Sequence, residues 1–163
     1  FFPAYVMNCV LGGGGFESRL YEEVREKRGL AYSAYSYLAP LDHAGIIIGG
    51  AGTANARTGE TVTVLRDEWA KMHKKGLNSR ELKDAKTYLT GSYPLRFSSS
   101  GRIAGMMTAI QMEKLGLGYI KKRNSLIEAV TLKDVNRVAA EMLDPEKLTM
   151  VVVGKPKGVT STP

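Results

Sequence analysis

Four consecutive glycines, Gly12–Gly15, raise the possibility of a phosphate-binding site, because glycine-rich loops can hold phosphate groups. A P-loop follows a strand and ends in Gly-Lys-Ser/Thr, whereas this run follows a helical pattern and precedes Phe16-Glu17-Ser18. Counting from Gly12, Glu17 stands where a dinucleotide loop needs its third glycine, and its carboxylate would repel a pyrophosphate. The sequence therefore predicts a flexible loop between two helices.

Few residues could ligate a metal or act as a nucleophile. Cys9 is the single cysteine, which excludes a disulfide within the chain and a cysteine-based zinc site, and its apolar helical surroundings indicate a small buried residue. His43 and His73 belong to no H-E-x-x-H or H-x-x-E-H motif, so we expect both at the surface. We expect the chain alone to bind no zinc and to hydrolyse no peptide.

The length and charge of the chain narrow the possible partners. Its 163 residues suit one domain, and the net charge of +7 raises nucleic acid as a partner. Acidic residues are interleaved with the basic ones between positions 66 and 86, a pattern typical of a solvated helix surface. We therefore expect that the chain has no nucleic-acid partner. A basic nucleic-acid-binding module is kept as the third hypothesis for function. The apolar stretches are far shorter than the ~20 residues of a membrane-spanning helix, so we expect no membrane partner.

The first half of the chain must position any site. A short apolar helix is predicted over 2–11 and a second one over 17–27, after which Gly29 releases the chain into a strand over 30–38. The run GIIIGGAG, rich in β-branched residues, predicts the partner strand over 45–52. The connection PLDHAG is too long for a two-residue turn, so we expect a hairpin with a longer loop.

Alternation along the first strand predicts its two faces. One face carries Leu30, Tyr32, Ala34, Ser36 and Leu38. The opposite face carries Ala31, Ser33, Tyr35 and Tyr37.

The second half is mainly helical. A long helix carries an apolar stripe of Thr58, Val62, Leu65, Trp69 and Met72, and two capping boxes, Asn78 with Glu81 and Thr131 with Asp134, start further helices. After the sequence SSSG, another helix is expected to bury Ile103, Met106, Met107 and Ile110. The run LTMVVVG predicts a terminal, central strand. The class is α+β, with helices on one face of a mainly antiparallel sheet.

The stretch LGGGGFESRLYEEVREKRGLAYSAYSY, residues 11–37, resembles the pitrilysin/insulinase family of zinc metallopeptidases, which includes the mitochondrial processing peptidases. The shared features are a glycine-rich turn, a Ser-Arg-Leu helix start, Arg-Glu-Lys, and Gly-Leu-x-Tyr-Ser opening a strand. The later segments SSSGRIAG, AVTLKDVNRVAAEML and LTMVVVG follow in the family's order, so the resemblance covers nearly the whole chain.

The resemblance implies that residues 1–163 form one truncated, metal-free domain that closes over a peptide substrate. The zinc and its H-x-x-E-H motif would lie on a partner domain or subunit of the same family. Arg25 and Tyr32 match the family's arginine and tyrosine that reach the bound peptide, and Gly12, Gly13, Gly14 and Gly15 match its glycine-rich loop. The cellular compartment stays open among bacterial cytoplasm, periplasm and mitochondrion.

The resemblance also implies opening strands before residue 2. With an unpaired sheet edge, the chain is expected either to recruit a strand from another copy and form a homo-oligomer, or to be prone to aggregation. The second hypothesis for function is a catalytically inactive scaffold or core protein of the same fold. An intact H-x-x-E-H in the same polypeptide or a neighbouring subunit would favour the peptidase.

Overall fold

Two antiparallel strands, with helices packed on one face, make up residues 1–160, the part of the chain that the computed structural model describes. The helices are α1 (Phe2–Asn8), α2 (Arg19–Tyr21), α3 (Thr58–Lys75), α4 (Ser79–Gly91), α5 (Ser100–Met112), α6 (Tyr119–Glu128) and α7 (Leu132–Met142). The strands are β1 (Ala31–Pro40) and β2 (Gly45–Thr53), and π-helical turns Cys9–Gly13 and Glu22–Glu26 extend α1 and α2. The predicted α+β class is confirmed. None of the helices in these residues is both long and apolar enough to cross a membrane.

The core lies between the sheet and the helices, where α7 packs against both α1 and α3. Full burial of each large apolar side chain stabilises the fold by roughly 1.5–3 kcal/mol. The side chains that are at most 2% exposed include Met7, Leu11, Leu20, Val24, Met72, Ile127, Val135 and Leu143.

Both predicted capping boxes are confirmed. The Asn78 side chain accepts from the N–H groups of Arg80 and Glu81, and the Glu81 carboxylate accepts from the Asn78 N–H at 2.9 Å. At the start of α7, Thr131 and Asp134 make the same reciprocal pair. Caps of this kind contribute about 0.5–2 kcal/mol each, and they start α4 and α7 at these residues.

The β1–β2 hairpin corrects two predictions. Its loop is a two-residue turn, Asp42–His43, since the strands pair down to Pro40 and Gly45 and the Leu41 N–H donates to the Ala44 carbonyl at 2.8 Å. The strand continues past its predicted end, which shortens the loop. The predicted faces of Ala31 and Tyr32 are also wrong, because a β-bulge places one extra β1 residue between the pairs Ala31–Thr53 and Ala34–Ala51.

The two outer edges of the hairpin differ. Along each strand, the N–H and C=O groups of successive residues point alternately to the partner strand and to the outer edge. The hydrogen bond from the Leu41 N–H to the Ala44 carbonyl shows which residues of each strand pair inward, and therefore which point outward. Ser36 therefore directs its backbone groups to the outer edge of β1. There the side-chain amide of Asn8 donates to the Ser36 carbonyl at 3.2 Å. On β2, Ile47, Gly49 and Ala51 direct their N–H and C=O groups to an edge that pairs with no strand of residues 1–160.

The predicted terminal strand at 148–154 is wrong. These residues form no strand, and the side chains of Val151 and Val153 are largely exposed. A cleft of about 660 Å³ lies between this segment and β2, so no neighbouring strand is available to pair with it. The chain is fixed just beyond this point, where the Lys157 N–H donates to the Asn55 carbonyl at 2.8 Å.

The predicted inner stripe of α5 is only partly correct. Ile110 is buried and Met106 and Met107 are half-buried, but Ile103 is 39% exposed. Helix α5 packs chiefly against the 3-10 turn Tyr93–Phe97, which is too short to cover the rest of its apolar surface.

Candidate functional site

The π-helical turn Glu22–Glu26 determines where Arg25 lies. Gly29 follows it with φ +56°, a left-handed conformation that glycine adopts without strain. The Gly29 N–H donates to the Arg25 carbonyl and the Leu30 N–H to the Val24 carbonyl, each at 2.8 Å. The chain therefore enters β1 directly beside the turn that holds Arg25. Such π-helical turns are frequent at functional sites.

The β-bulge determines where Tyr32 lies. Ala31 and Ala34 are both buried against the helices, and the two residues between them, Tyr32 and Ser33, are both exposed. The Tyr32 side chain is 82% exposed, on the side away from the core. Without the extra residue, strict alternation would place Tyr32 on the core face with Ala34.

These two local irregularities bring Arg25 and Tyr32 into contact. The guanidinium carbon of Arg25 lies 4.6 Å from the centre of the Tyr32 ring and 4.9 Å from the centre of the buried Tyr21 ring. Phe16 packs edge-on against Tyr21 at 5.1 Å. Cation–π contacts at exposed sites are worth about 0.5–1 kcal/mol each, so both rings help to hold the guanidinium in place.

Tyr21 was not among the predicted site residues. It lies four residues before Arg25, a spacing that places two side chains on the same side of a helix. That spacing is the signal that could have identified it.

Arg25 differs from its basic neighbours in its partners. Lys27 and Arg28 both donate to the Glu23 carboxylate, and these hydrogen bonds hold the pKa of Glu23 below its ordinary value. Among the described residues, the only acidic side chain paired with the Arg25 guanidinium is Glu26, in an ion pair with a 3.8 Å N–O distance. A guanidinium carries five N–H donors in a planar fork, so Arg25 retains donors for a further acceptor.

The outer face of the hairpin is apolar and aromatic. Tyr35 and Tyr37 stack with ring centres 6.3 Å apart, and Ile46 and Ile48 lie exposed on the same face of the neighbouring strand. This face begins beside the bulge at Tyr32. It offers apolar side chains next to the donors of Arg25.

The glycine run is a close-packed helical turn, which corrects the predicted flexible loop. A Cβ on Gly12 would lie 2.5 Å from the Ser36 backbone nitrogen, and one on Gly13 would lie 2.5 Å from the Asn8 amide nitrogen. Gly14 is packed as closely, 2.5 Å from the Cys9 carbonyl oxygen, whereas Gly15 turns the chain with φ +67°. The run lets the extension of α1 approach the outer edge of β1.

Buried polar contacts complete this cover of the β1 edge. The Ser36 hydroxyl donates to the Asn8 side-chain oxygen at 2.7 Å while the Asn8 amide donates to the Ser36 carbonyl. Both residues are at most 5% exposed. Because buried polar groups are costly unless paired, this reciprocal pair fixes β1, and hence the bulge, relative to α1.

An ion pair that the sequence did not reveal anchors α2. Arg19 donates two hydrogen bonds to the Glu81 carboxylate, at 2.7 and 2.8 Å, and a third to the Gly76 carbonyl at 2.9 Å. Burial raises the pKa of Glu81, but the hydrogen bonds from Arg19 and the Asn78 N–H outweigh it, so the pKa is lowered overall. The pair joins residues far apart in sequence, which sequence spacing cannot predict.

Zinc does not fit the described part of this chain. Residues 1–160 contain no group of three or more His, Cys, Asp or Glu side chains that could hold a metal ion. Burial, with a smaller effect of Glu17, raises the pKa of the Cys9 thiol to about 11, so it stays protonated and is a poor ligand and nucleophile. His43 lies in the hairpin turn and His73 near the end of α3.

Comparison with known proteins finds one family model and several relatives that match this chain. The family model described as the peptidase M16 inactive domain matches residues 1–89. A protein named as an uncharacterized zinc protease, from Streptomyces coelicolor, is 34% identical over 141 residues, covering 85% of this chain and 30% of the relative. A protein named as a non-peptidase homolog, from Helicobacter pylori, is 32% identical over 155 residues, covering 93% and 35%.

A solved structure agrees with this pattern. The peptidase M16 inactive domain from Pseudomonas fluorescens superposes with a TM-score of 0.75 at 33% identity, covering 90% of this chain and 34% of that one. The chain thus spans about a third of the length of each of these three proteins.

Proposed function

Since the chain belongs to the peptidase M16 family and matches its inactive domain, we propose that it encloses and binds the peptide substrate of a zinc peptidase. In this proposal residues 1–163 are one metal-free domain. The zinc, its H-x-x-E-H ligands and the general base lie on another domain or subunit of the same family. The relatives support this arrangement, because proteins named zinc proteases are about three times as long as this chain.

One observation carries the proposal: the Arg25 guanidinium lies 4.6 Å from the Tyr32 ring and keeps free donors. An extended peptide presents carbonyl oxygens that such donors can bind. Tyr32 is exposed beside Arg25, and its phenol can donate to the oxyanion that develops as a peptide bond is attacked. Arg25 would then hold the substrate backbone, and Tyr32 would act mainly in the transition state.

The rigid surroundings of the pair support this role. Tyr21 holds the guanidinium from one side, and the Asn8–Ser36 pair fixes β1 behind the bulge. A donor is effective in catalysis when it is held in place before the charge develops. The outer face with Tyr35 and Tyr37 would contact apolar side chains of the substrate.

The experiment is peptide hydrolysis by the complete zinc-bearing protein with substitutions at Arg25. Arg25→Ala should raise KM and lower kcat/KM, because its contacts are made in both ground and transition states. Arg25→Lys should restore little, since an ammonium lacks the planar fork. Arg80→Ala is the matched control, because the Arg80 side chain is 91% exposed and only weakly paired. Unchanged kinetics in Arg25→Ala would make the Arg25–Tyr32 contact purely structural.

A second candidate function is a scaffold without peptidase activity. The relative from Helicobacter pylori that is named a non-peptidase homolog favours it. In that case the complete protein would lack an intact H-x-x-E-H in the polypeptide and in its partner subunits. The sequence of the complete gene, with its neighbours, separates the two functions.

A further inference from the structure

Arg123, on α6, is a buried arginine with no acidic partner in residues 1–160. It is 4% exposed, and its guanidinium carbon lies 4.2 Å from the centre of the Tyr93 ring. The guanidinium donates to the Leu89 carbonyl and the Asn124 side-chain oxygen, each at 3.0 Å, and to the Tyr5 hydroxyl at 3.3 Å. All three acceptors are neutral. The positive charge of Arg123 is therefore hydrogen-bonded but forms no ion pair in the described part of the chain.

Arg19 shows the usual surroundings of a largely buried arginine. Its side chain is 14% exposed, and it donates two hydrogen bonds to the Glu81 carboxylate. Burying a charge is costly unless the charge is paired as well as hydrogen-bonded. The aromatic rings beside Arg123 offset part of this cost through cation–π contacts, but they carry no opposite charge. Arg123 thus lacks the partner that Arg19 has.

A second guanidinium lies at the same place. Arg96, in the turn Tyr93–Phe97, donates to the Tyr5 hydroxyl at 3.5 Å, so one phenol oxygen accepts from two cations. Arg96 is exposed and, like Arg123, forms no ion pair within residues 1–160. Two positive charges held at one neutral oxygen repel each other. An anion bound between them would replace this repulsion with attraction.

Two phenols add neutral donors to the two cations. The Tyr5 oxygen already accepts two hydrogen bonds, so its own O–H is left to donate to a further group. Burial raises the pKa of Tyr119, against a smaller opposing effect of Arg123, so the Tyr119 hydroxyl stays protonated at neutral pH. Tyr5 and Tyr119 are half-buried and Arg96 is exposed, so the cluster is open to solvent on one side.

We propose that Arg96 and Arg123, together with the Tyr5 and Tyr119 hydroxyls, bind an oxyanion. The planar fork of a guanidinium matches the paired oxygens of a carboxylate or a phosphate group. Arg96 meets the anion at the surface, and Arg123 supplies the buried charge beneath it. Because Arg25 and Tyr32 belong to a different cluster, this inference does not depend on their substrate-binding role.

The oxyanion has two possible sources. One is free phosphate from solution. The other is an Asp or Glu side chain outside residues 1–163, because the chain spans about a third of the length of its relatives and the remainder of such a protein can supply a carboxylate. Both sources present the same chemistry to the two guanidiniums, and the complete protein distinguishes them.

The first test is thermal unfolding of the 163-residue chain at pH 7 and constant ionic strength, with and without sodium phosphate. With a Kd of about 1 mM, phosphate at about 20 mM should raise Tm by about 4–7 °C. Arg96→Met should lose this rise and still fold, because Arg96 is exposed. Arg80→Met is the matched control and should keep the rise, since the Arg80 side chain is 91% exposed and lies outside the cluster.

A general effect of phosphate on the folded state would raise Tm equally in all three chains. An equal rise in the wild type and in Arg96→Met, or no rise in the wild type, would overturn the proposal. Nuclear magnetic resonance gives a second readout: the Nε–H signals of Arg96 and Arg123 should shift saturably with phosphate, and that of Arg80 should not. Unchanged signals at Arg96 and Arg123 would also overturn it.

The same measurements on the complete protein identify the source. If free phosphate is the ligand, phosphate should raise Tm of the complete protein as it does for the shorter chain. If a carboxylate of the remainder fills the site, phosphate should have no effect. Arg96→Met should then lower Tm in phosphate-free buffer, whereas Arg80→Met should not. A complete protein that responds neither to phosphate nor to Arg96→Met would contradict an oxyanion site at these residues.

Discussion

Substitution of Gly12 tests the packing that places β1. Gly12→Ala would put a Cβ 2.5 Å from the Ser36 backbone nitrogen and 2.9 Å from the Tyr35 carbonyl carbon, closer than such contacts occur. Both neighbours are backbone atoms held in the hairpin, so the strand or the turn must move. Overpacking of this kind costs about 1–3 kcal/mol. At roughly 2 kcal/mol, a chain of this size should lose about 4–8 °C in Tm.

Gly105→Ala is the matched control for this substitution. Gly105 lies inside α5, and a Cβ there would meet nothing within 4 Å. Alanine is favoured over glycine in a helix by about 1 kcal/mol, so Tm should rise by about 2–4 °C. Thermal and urea unfolding followed by circular dichroism measure both variants. If Gly12→Ala raised Tm as Gly105→Ala does, the glycine run would be a flexible loop and the packing described above would be refuted.

Three further predictions concern buried and paired groups. Arg19→Met should lower the free energy of unfolding in urea by about 1.5–3 kcal/mol, because Glu81 loses a charged hydrogen-bond partner. The control, Arg137→Met at the exposed pair with Glu141, should cost at most about 0.5 kcal/mol. Equal costs in the two variants would show that the Arg19–Glu81 pair does not anchor α2. Because the pKa of Glu81 is lowered in the fold, its stabilisation is complete above the unfolded pKa of about 4.3 and is lost as pH falls below it. The urea midpoint should therefore fall further between pH 6 and pH 3 in the wild type than in Glu81→Gln, and parallel curves would be the contrary result. Cys9, with its pKa raised to about 11, should react with iodoacetamide far more slowly in the native chain at pH 8 than in urea, and similar rates would show an exposed thiolate.

Local signals in the sequence were sufficient to predict where two of the helices start. Capping residues at Asn78 and Thr131 act on the nearest backbone groups, so the residues alone predicted where α4 and α7 begin. The α3 stripe ending at Trp69 and Met72 was likewise predictable, since it is a property of one helix.

Features that depend on contacts between distant residues could not be predicted this way. The bulge at Tyr32 breaks strict alternation, and one extra residue moves a side chain to the other face. The Arg19–Glu81 pair joins α2 to the start of α4. The terminal run at 148–153 has strand composition, but a strand forms only where another strand is available to pair with it.

The candidate site shows the same division. Resemblance identified Arg25 and Tyr32, and their sequence separation suggested a helix end beside a strand start. The contact itself arises from the π-helical turn and the bulge together, and neither irregularity has a signature that the residues reveal alone. Tyr21, which also contacts the Arg25 guanidinium, was not predicted for that reason, although the sequence places it four residues before Arg25.

The substrate-binding proposal is tested most directly by the rate constant of the Tyr32→Phe variant in the complete zinc-bearing protein. The substitution removes one phenol donor and leaves the ring that stacks on Arg25. A well-placed donor to an oxyanion is worth roughly 2.7–4 kcal/mol, so single-turnover kcat should fall by about 10²-fold or more. Zinc content and Tm should stay at wild-type values, and Tyr88→Phe on α4 serves as the control. A wild-type kcat in Tyr32→Phe would contradict the proposed role of Tyr32.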